Sequence, residues 1–213
     1  MQTDRLVDHL VADLVPVRPR RTSHDLILLA AIGLVELGLF LLSGWARADT
    51  MMATSLPAFW WKLGSLTILT TVGAATATRS VDPLVSPRKG LRLLAFLAAG
   101  AFLAGWAIEP EHVVTAALRA LSLWRRGLDC VFAMVILSVP AIVALVALIG
   151  RGAPTDRNGS SLAVGATSAA WGAFVFAFDC PHDDPSYIAI WYLVGCSIVT
   201  LIGSQVSRPL MRW

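Results

Sequence analysis

The chain has 213 residues, of which 56% are hydrophobic and only 15% charged, with a formal net charge of +3 and a positive mean hydropathy. A soluble domain of this size carries roughly 45–50% apolar and about 25% charged residues, so the balance excludes an ordinary soluble domain and indicates an integral membrane protein. Barrel strands would be about half as long as the apolar runs found here and would alternate in polarity, which leaves helices.

Residues 1–25 differ in kind from the rest. Between Thr3 and Leu14, the side chains Leu6, Val7, Leu10, Val11 and Leu14 fall on one stripe at helical spacing, and Asp4, Arg5, Asp8, His9 and Asp13 take the other face. Thr3 is placed to cap this helix, and Pro16 ends it. A helix lying on a membrane would carry Lys and Arg on its polar face, whereas this one carries three Asp against one Arg. At about twelve residues it is marginal alone in water. Such a segment folds in a groove on a partner or, alternatively, packs on the chain's own inner loops. The basic stretch from Val17 to Arg21 then forms a stiff linker toward anionic head groups.

Six apolar runs follow, at about 26–46, 57–78, 91–108, 128–149, 160–178 and 187–206. Each approaches the roughly 20 residues that a helix needs to cross a bilayer. Lys and Arg number twelve on the side that holds both termini and four on the other, with Lys62 inside the second run. The excess of positive charge predicts that both termini are cytoplasmic. The expected architecture is therefore an all-α membrane protein of six transmembrane helices in a bacterial inner membrane, with a short N-terminal amphipathic helix. It divides into a cytoplasmic segment 1–25 and a transmembrane unit 26–213.

The polar loop before the last run, Asp179-Cys180-Pro181-His182-Asp183-Asp184-Pro185-Ser186, gathers a thiol, an imidazole and three carboxylates, and contains no Lys or Arg. Cys130 opens the fourth run and Cys180 closes the fifth, so antiparallel neighbours would bring the two thiols together on the outer face, where disulfides are permitted. They are either a reactive pair that meets oxidants or soft metal ions, or a fixed disulfide closing a 50-residue loop. His182 and Asp183 extend the site, and Cys130, Cys180 and His182 form a candidate set of ligands for a transient heavy-metal ion. No other cofactor is expected. Cys196, in the middle of the last run, is expected to pack.

Glu36 lies about ten residues into the first run, close to the bilayer centre, and Lys62 early in the second. These two intramembrane polar residues are expected either to hold the first two helices together or, for Glu36, to serve a proton pathway. No glycine-rich phosphate loop, nucleophile elbow or metalloprotease helix is present, and the chain is not expected to be an enzyme.

Several phrases resemble the NrsF-type anti-sigma factors, six-span inner-membrane proteins. The resemblance is carried by Cys180-Pro181-His182-Asp183-Asp184-Pro185-Ser186 running on to Trp191-Tyr192, by Gly127-Leu128-Asp129-Cys130 with Ser138-Val139-Pro140, and by Arg151-Gly152-Ala153-Pro154. The opening from Leu6 to Leu14 and the closing Arg208-Pro209-Leu210-Met211-Arg212-Trp213 are also similar. Where the family often has Glu in the loop, this chain has His182. The resemblance implies a membrane-tethered regulator that holds an extracytoplasmic-function sigma factor through Leu6, Val7, Asp8, Leu10, Val11, Asp13 and Leu14. It implies that Cys130 and Cys180 sense oxidant or heavy-metal stress. Its partners would be the sigma factor and the lipid bilayer, with no direct contact to nucleic acid and no small-molecule substrate. Two rivals are a membrane thiol-disulfide oxidoreductase, which usually needs a second exchanging pair, and a small transporter using Glu36.

Overall fold

The computed structural model describes Val11 and residues 22–211 apart from 48, 83, 109–117, 119, 151 and 153. Among these residues the regular structure is helical, with no strand. Seven helices have defined ends: α1 Thr22–Leu42, α2 Thr50–Ala53, α3 Pro57–Arg79, α4 Arg88–Ile108, α5 Trp124–Ile149, α6 Arg157–Phe176 and α7 Pro185–Ser207. A 3₁₀ turn, Arg208–Leu210, closes the described chain. The short α2 aside, these match the six apolar runs one for one, with every boundary within four residues.

Five of the long helices (α1, α4, α5, α6 and α7) are long and apolar enough to cross a membrane, where six were expected. The exception is α3, which carries Lys62, Ser65, Thr67, Thr70, Thr71, Thr76, Thr78 and Arg79. Its hydroxyls are largely turned back on its own backbone: Thr67, Thr76 and Thr78 each donate to the carbonyl four residues earlier, at 2.7 Å. A helix can hide polar side chains this way without a neighbour, so α3 is polar in composition but not in what it presents.

The first helix stops four residues short of its apolar run. Gly44 takes φ +76°, the left-handed conformation that ends helices, and Ser43 donates its N–H to Leu39 O at 2.9 Å. The chain beyond turns inward, and the Arg47 N–H donates to Phe178 O at 3.0 Å. Arg47 thereby joins the loop layer at one end of the bundle.

The spine of the bundle is α6. It is built from Ala, Gly and Ser, and most of its length is buried against α3, α5 and α7. Without bulky side chains the backbones approach closely, the packing that apolar bundles favour. At Gly165 an added Cβ would lie 2.3 Å from Thr200 O of α7, and at Gly203 one would lie 2.8 Å from the Cα of Gly165. Outward faces carry Leu34, Leu39, Phe96, Leu103, Phe132 and Leu201, all more than half exposed.

Replacing Gly165 by Leu sets a side chain against an immovable backbone atom, and we expect a loss of at least about 2 kcal/mol. This would be read as a lower thermal midpoint of the detergent-purified protein. Gly100→Ala, with nothing within 4 Å of the new methyl, should stay within about 0.5 kcal/mol.

Candidate functional site

The site is made by the chain between α6 and α7. Past Phe176 the helix unwinds through overlapping turns: Phe178 N–H donates to Val175 O, and both Asp179 N–H and Cys180 N–H donate to Phe176 O. This folds Cys180 back over the end of α6, where its side chain is fully buried. The Asp184 carboxylate then accepts the Ser186 N–H at 2.7 Å, and Pro185 takes the first position of α7, a combination that starts a helix firmly. Across from it, α5 comes close because Gly127 makes room for an indole. A Cβ there would lie 2.1 Å from the Trp191 ring, whose N–H donates to Ala120 O at 3.0 Å. Cys130 follows one turn later, also buried.

Cys130 and Cys180 are both free thiols, and they lie close enough to influence each other directly. The Tyr187 hydroxyl lies 3.2 Å from the Cys130 sulfur, and the buried Tyr192 hydroxyl makes no hydrogen bond among the described residues. The Cys180 sulfur lies 3.7 Å from His182 O. The hydrogen bond with Cys130, followed by the charge of Lys62, lowers the Cys180 thiol to about 7 against the opposing effect of burial. The His182 imidazole is pushed below its ordinary value, by burial first and then by Arg126 and Lys62, and its ring lies 4.5 Å from that of Tyr187. Burial likewise raises the Asp179 carboxyl.

Two cations converge on the loop from other elements. Lys62, completely buried at the start of α3, donates to the carbonyls of Cys180 and His182 at 3.4 and 3.5 Å and pairs with one oxygen of Asp183. Arg47 pairs with the other Asp183 oxygen at 2.8 Å and donates to Cys180 O at 3.2 Å. Its Nε and Nη2 donate to the exposed Asp49 at 2.7 and 2.8 Å. These contacts raise the Arg47 value further and hold the Asp49 carboxyl down to about 2. Asp183, with a side chain only 9% exposed, thus holds two buried positive charges.

The expected sensing residues Cys130, Cys180, His182 and Asp183 are therefore brought together at one end of the bundle. The expected ion-binding set is not assembled: among the described residues no three His, Cys, Asp or Glu side chains lie close enough to hold a metal ion. Lys62 pairs with Asp183 and not with Glu36, so no ion pair joins the first two long helices through those residues. Glu36 instead accepts the Trp171 indole N–H of α6 at 2.8 Å. It sits six residues, roughly 9 Å, from the loop end of α1 and four residues from the helix midpoint. Cys196 packs against Ala169 O. Leu6, Val7, Asp8, Leu10, Asp13 and Leu14 lie outside the described residues, and Val11 is helical and exposed.

Arg47, Tyr187 and Tyr192 are parts of the site that sequence reasoning missed. A signal for Arg47 existed: a loop with three carboxylates and no cation needs positive charge from elsewhere, and Arg47 and Lys62 are among the few cations toward that end.

A bundle of long apolar helices with a thiol pair closed under a charged loop places the chain, by helix length and composition, in the class of membrane-type helical proteins. Residues 10–213 match the family model described as NrsF, negative regulator of sigma F, and the chain belongs to that family. It is 33% identical to the anti-sigma-F factor NrsF of Caulobacter vibrioides over the full length of both chains. It is 29% identical to the probable anti-sigma-F factor NrsF of Azospira oryzae, over 78% of each. No solved structure matches.

Truncating Asp183 to Ala strands two buried cations, and breaking such a pair costs about 3–5 kcal/mol. Asp183→Ala should therefore melt well below the parent protein. Asp49→Ala, at a carboxylate half open to solvent, should melt within a few degrees of it.

Proposed function

We propose that this protein is a membrane-bound anti-sigma factor that sequesters an extracytoplasmic-function sigma factor and releases it when the Cys130–Cys180 pair is oxidised. Membership of the NrsF family and the names of the two relatives support the anti-sigma role. One structural observation carries the switch: two free, buried, neighbouring thiols, one on α5 and one in the α6–α7 loop, meet where that loop is tied to α3 and to the chain beyond α1. Two sulfurs without a third donor suit a dithiol–disulfide change better than a stable metal site.

In this reading α3 crosses the membrane beside α6 in spite of its threonines, giving six spans with both termini in the cytoplasm of a bacterium. The excess of Lys and Arg on the terminal side supports that orientation. The thiol loop then faces outward, where disulfides form. Residues 6–14 supply the sigma contact: an apolar stripe with Asp8 and Asp13 facing the basic surface of a DNA-binding partner. A hundredfold loss of sigma affinity needs about 2.7 kcal/mol of coupling, within the range of one disulfide.

Capture from host lysate on the full-length protein, beside a version lacking residues 1–15, tests the contact. The expected result is a sigma factor retained by the full chain alone and released by hydrogen peroxide. Release that persists in Cys130→Ser and Cys180→Ser would remove the thiols from the switch. Failure of the full chain to retain any sigma factor would sink the anti-sigma reading.

A further inference from the structure

The two thiols do not have equivalent surroundings. The Lys62 ammonium and the Cys180 sulfur lie 3.5 and 3.7 Å from one shared atom, His182 O, which puts them at most about 7 Å apart in a site closed to water, where charge acts strongly. Lys62 also donates to Cys180 O, and Arg47 donates to the same carbonyl. The strongest influences on Cys130 are the Cys180 thiol, the Tyr187 hydroxyl and the Asp129 carboxylate, none of them a cation.

We propose that Lys62 is the positioning residue that makes Cys180 the attacking thiol and leaves Cys130 as the resolving one, with hydrogen peroxide as oxidant. This rests on the thiol-switch reading above. The Cys180 thiolate attacks one peroxide oxygen and the O–O bond breaks. The departing hydroxide takes a solvent proton, and Cys180 is left as a sulfenic acid. The Cys130 sulfur then attacks that sulfur, the S–O bond breaks, and water leaves with the Cys130 proton. One S–S bond forms, and the two electrons given up by the thiols reduce one peroxide to two waters.

The charges around Cys180 have opposing effects that can be separated. From α3 comes Lys62, and from the chain after α1 come Arg47 and, behind it, Asp49. From α5 come Cys130, Arg126 and Asp129, and from α7 Tyr187 and Tyr192. The loop itself adds Asp179, His182, Asp183 and Asp184. The lowering of the Cys180 thiol to about 7 agrees with this arrangement, the Cys130 hydrogen bond acting first and Lys62 after it. Removing Lys62 and removing the charge of Asp183 must then move Cys180 in opposite directions. If the two residues only held the loop shut, both changes would simply open it.

The test is the rate of N-ethylmaleimide alkylation of the full-length protein in detergent as a function of pH, with the labelled cysteine located by mass spectrometry. The plateau rate reports loop opening and the midpoint reports the thiolate, so the two roles separate. We expect Cys180 to be labelled first, with a midpoint near neutrality. Lys62→Met should raise that midpoint, leaving the rate at pH 7 about tenfold lower relative to its own plateau. Lys62→Arg should restore it, and Asp183→Asn should lower it. Midpoints that stay fixed, or that shift the same way in Lys62→Met and Asp183→Asn, overturn the proposal, as does first labelling of Cys130. Opposite shifts together with sigma release that ignores both cysteines would uphold the role of Lys62 and overturn the switch instead.

Discussion

A buried charge must be paired, and the functional end of this molecule is arranged around that requirement. Asp183 lies between Lys62 and Arg47, neither of which reaches bulk water. Removing a charge from water costs several kcal/mol, and only close opposite charge with good hydrogen bonding offsets that. Satisfying this condition draws together the start of α3, the chain beyond α1 and the α6–α7 loop. The thiols meet beneath the resulting clasp because Cys180 is three residues upstream of Asp183 and its carbonyl accepts from both cations. The redox chemistry proposed here is thus a by-product of electrostatic closure: the same ions that shut the loop give one thiol a cationic neighbour.

Beneath that layer the bundle relies on contact between backbones. Gly165 and Gly203, and Gly172 against Met134 O, set helices at distances where a single methyl group would collide with main-chain atoms. Close packing of this kind is stiff, because interiors at native density transmit displacement and do not absorb it. The helices that frame the thiols, α5, α6 and α7, share this packing. By contrast α4 exposes most of its apolar surface and touches mainly α3. Movement at the thiols therefore has a rigid path along the spine and a loose one at the periphery.

Much of this was legible in the sequence because apolar length is a strong signal. Six runs gave six long helices, and the meeting of Cys130 with Cys180 followed from placing them at the same ends of antiparallel neighbours. Errors arose where composition and context diverge. By composition α3 falls outside the five apolar spans, although its run was expected to be the sixth, because hydroxyls bonded back to their own helix still count as polar. The first helix was drawn to 46 because Trp45 and Ala46 are apolar, although Gly44 had already ended it. The expected partnership of Lys62 with Glu36 rested on both being charged in adjacent runs. Lys62 in fact lies among loop carbonyls, while Glu36 found an indole. Hydrogen-bond partners that distant in sequence leave no periodic trace. The role of Tyr187 was hidden for the same reason.

Consecutive residues of the thiol loop perform different tasks: Cys180 carries the sulfur, Asp183 holds the cations, and Asp184 caps α7. A segment organised this way cannot fray one residue at a time. Peeling Asp183 from its cations drags at the cap beside it, and uncapping the helix loosens Tyr187, which contacts the other sulfur. The opening of such a loop is a cooperative local unfolding, with few half-open states to populate. A small perturbation would leave nearly every copy shut, and a larger one would change how many molecules open, not how far each one does.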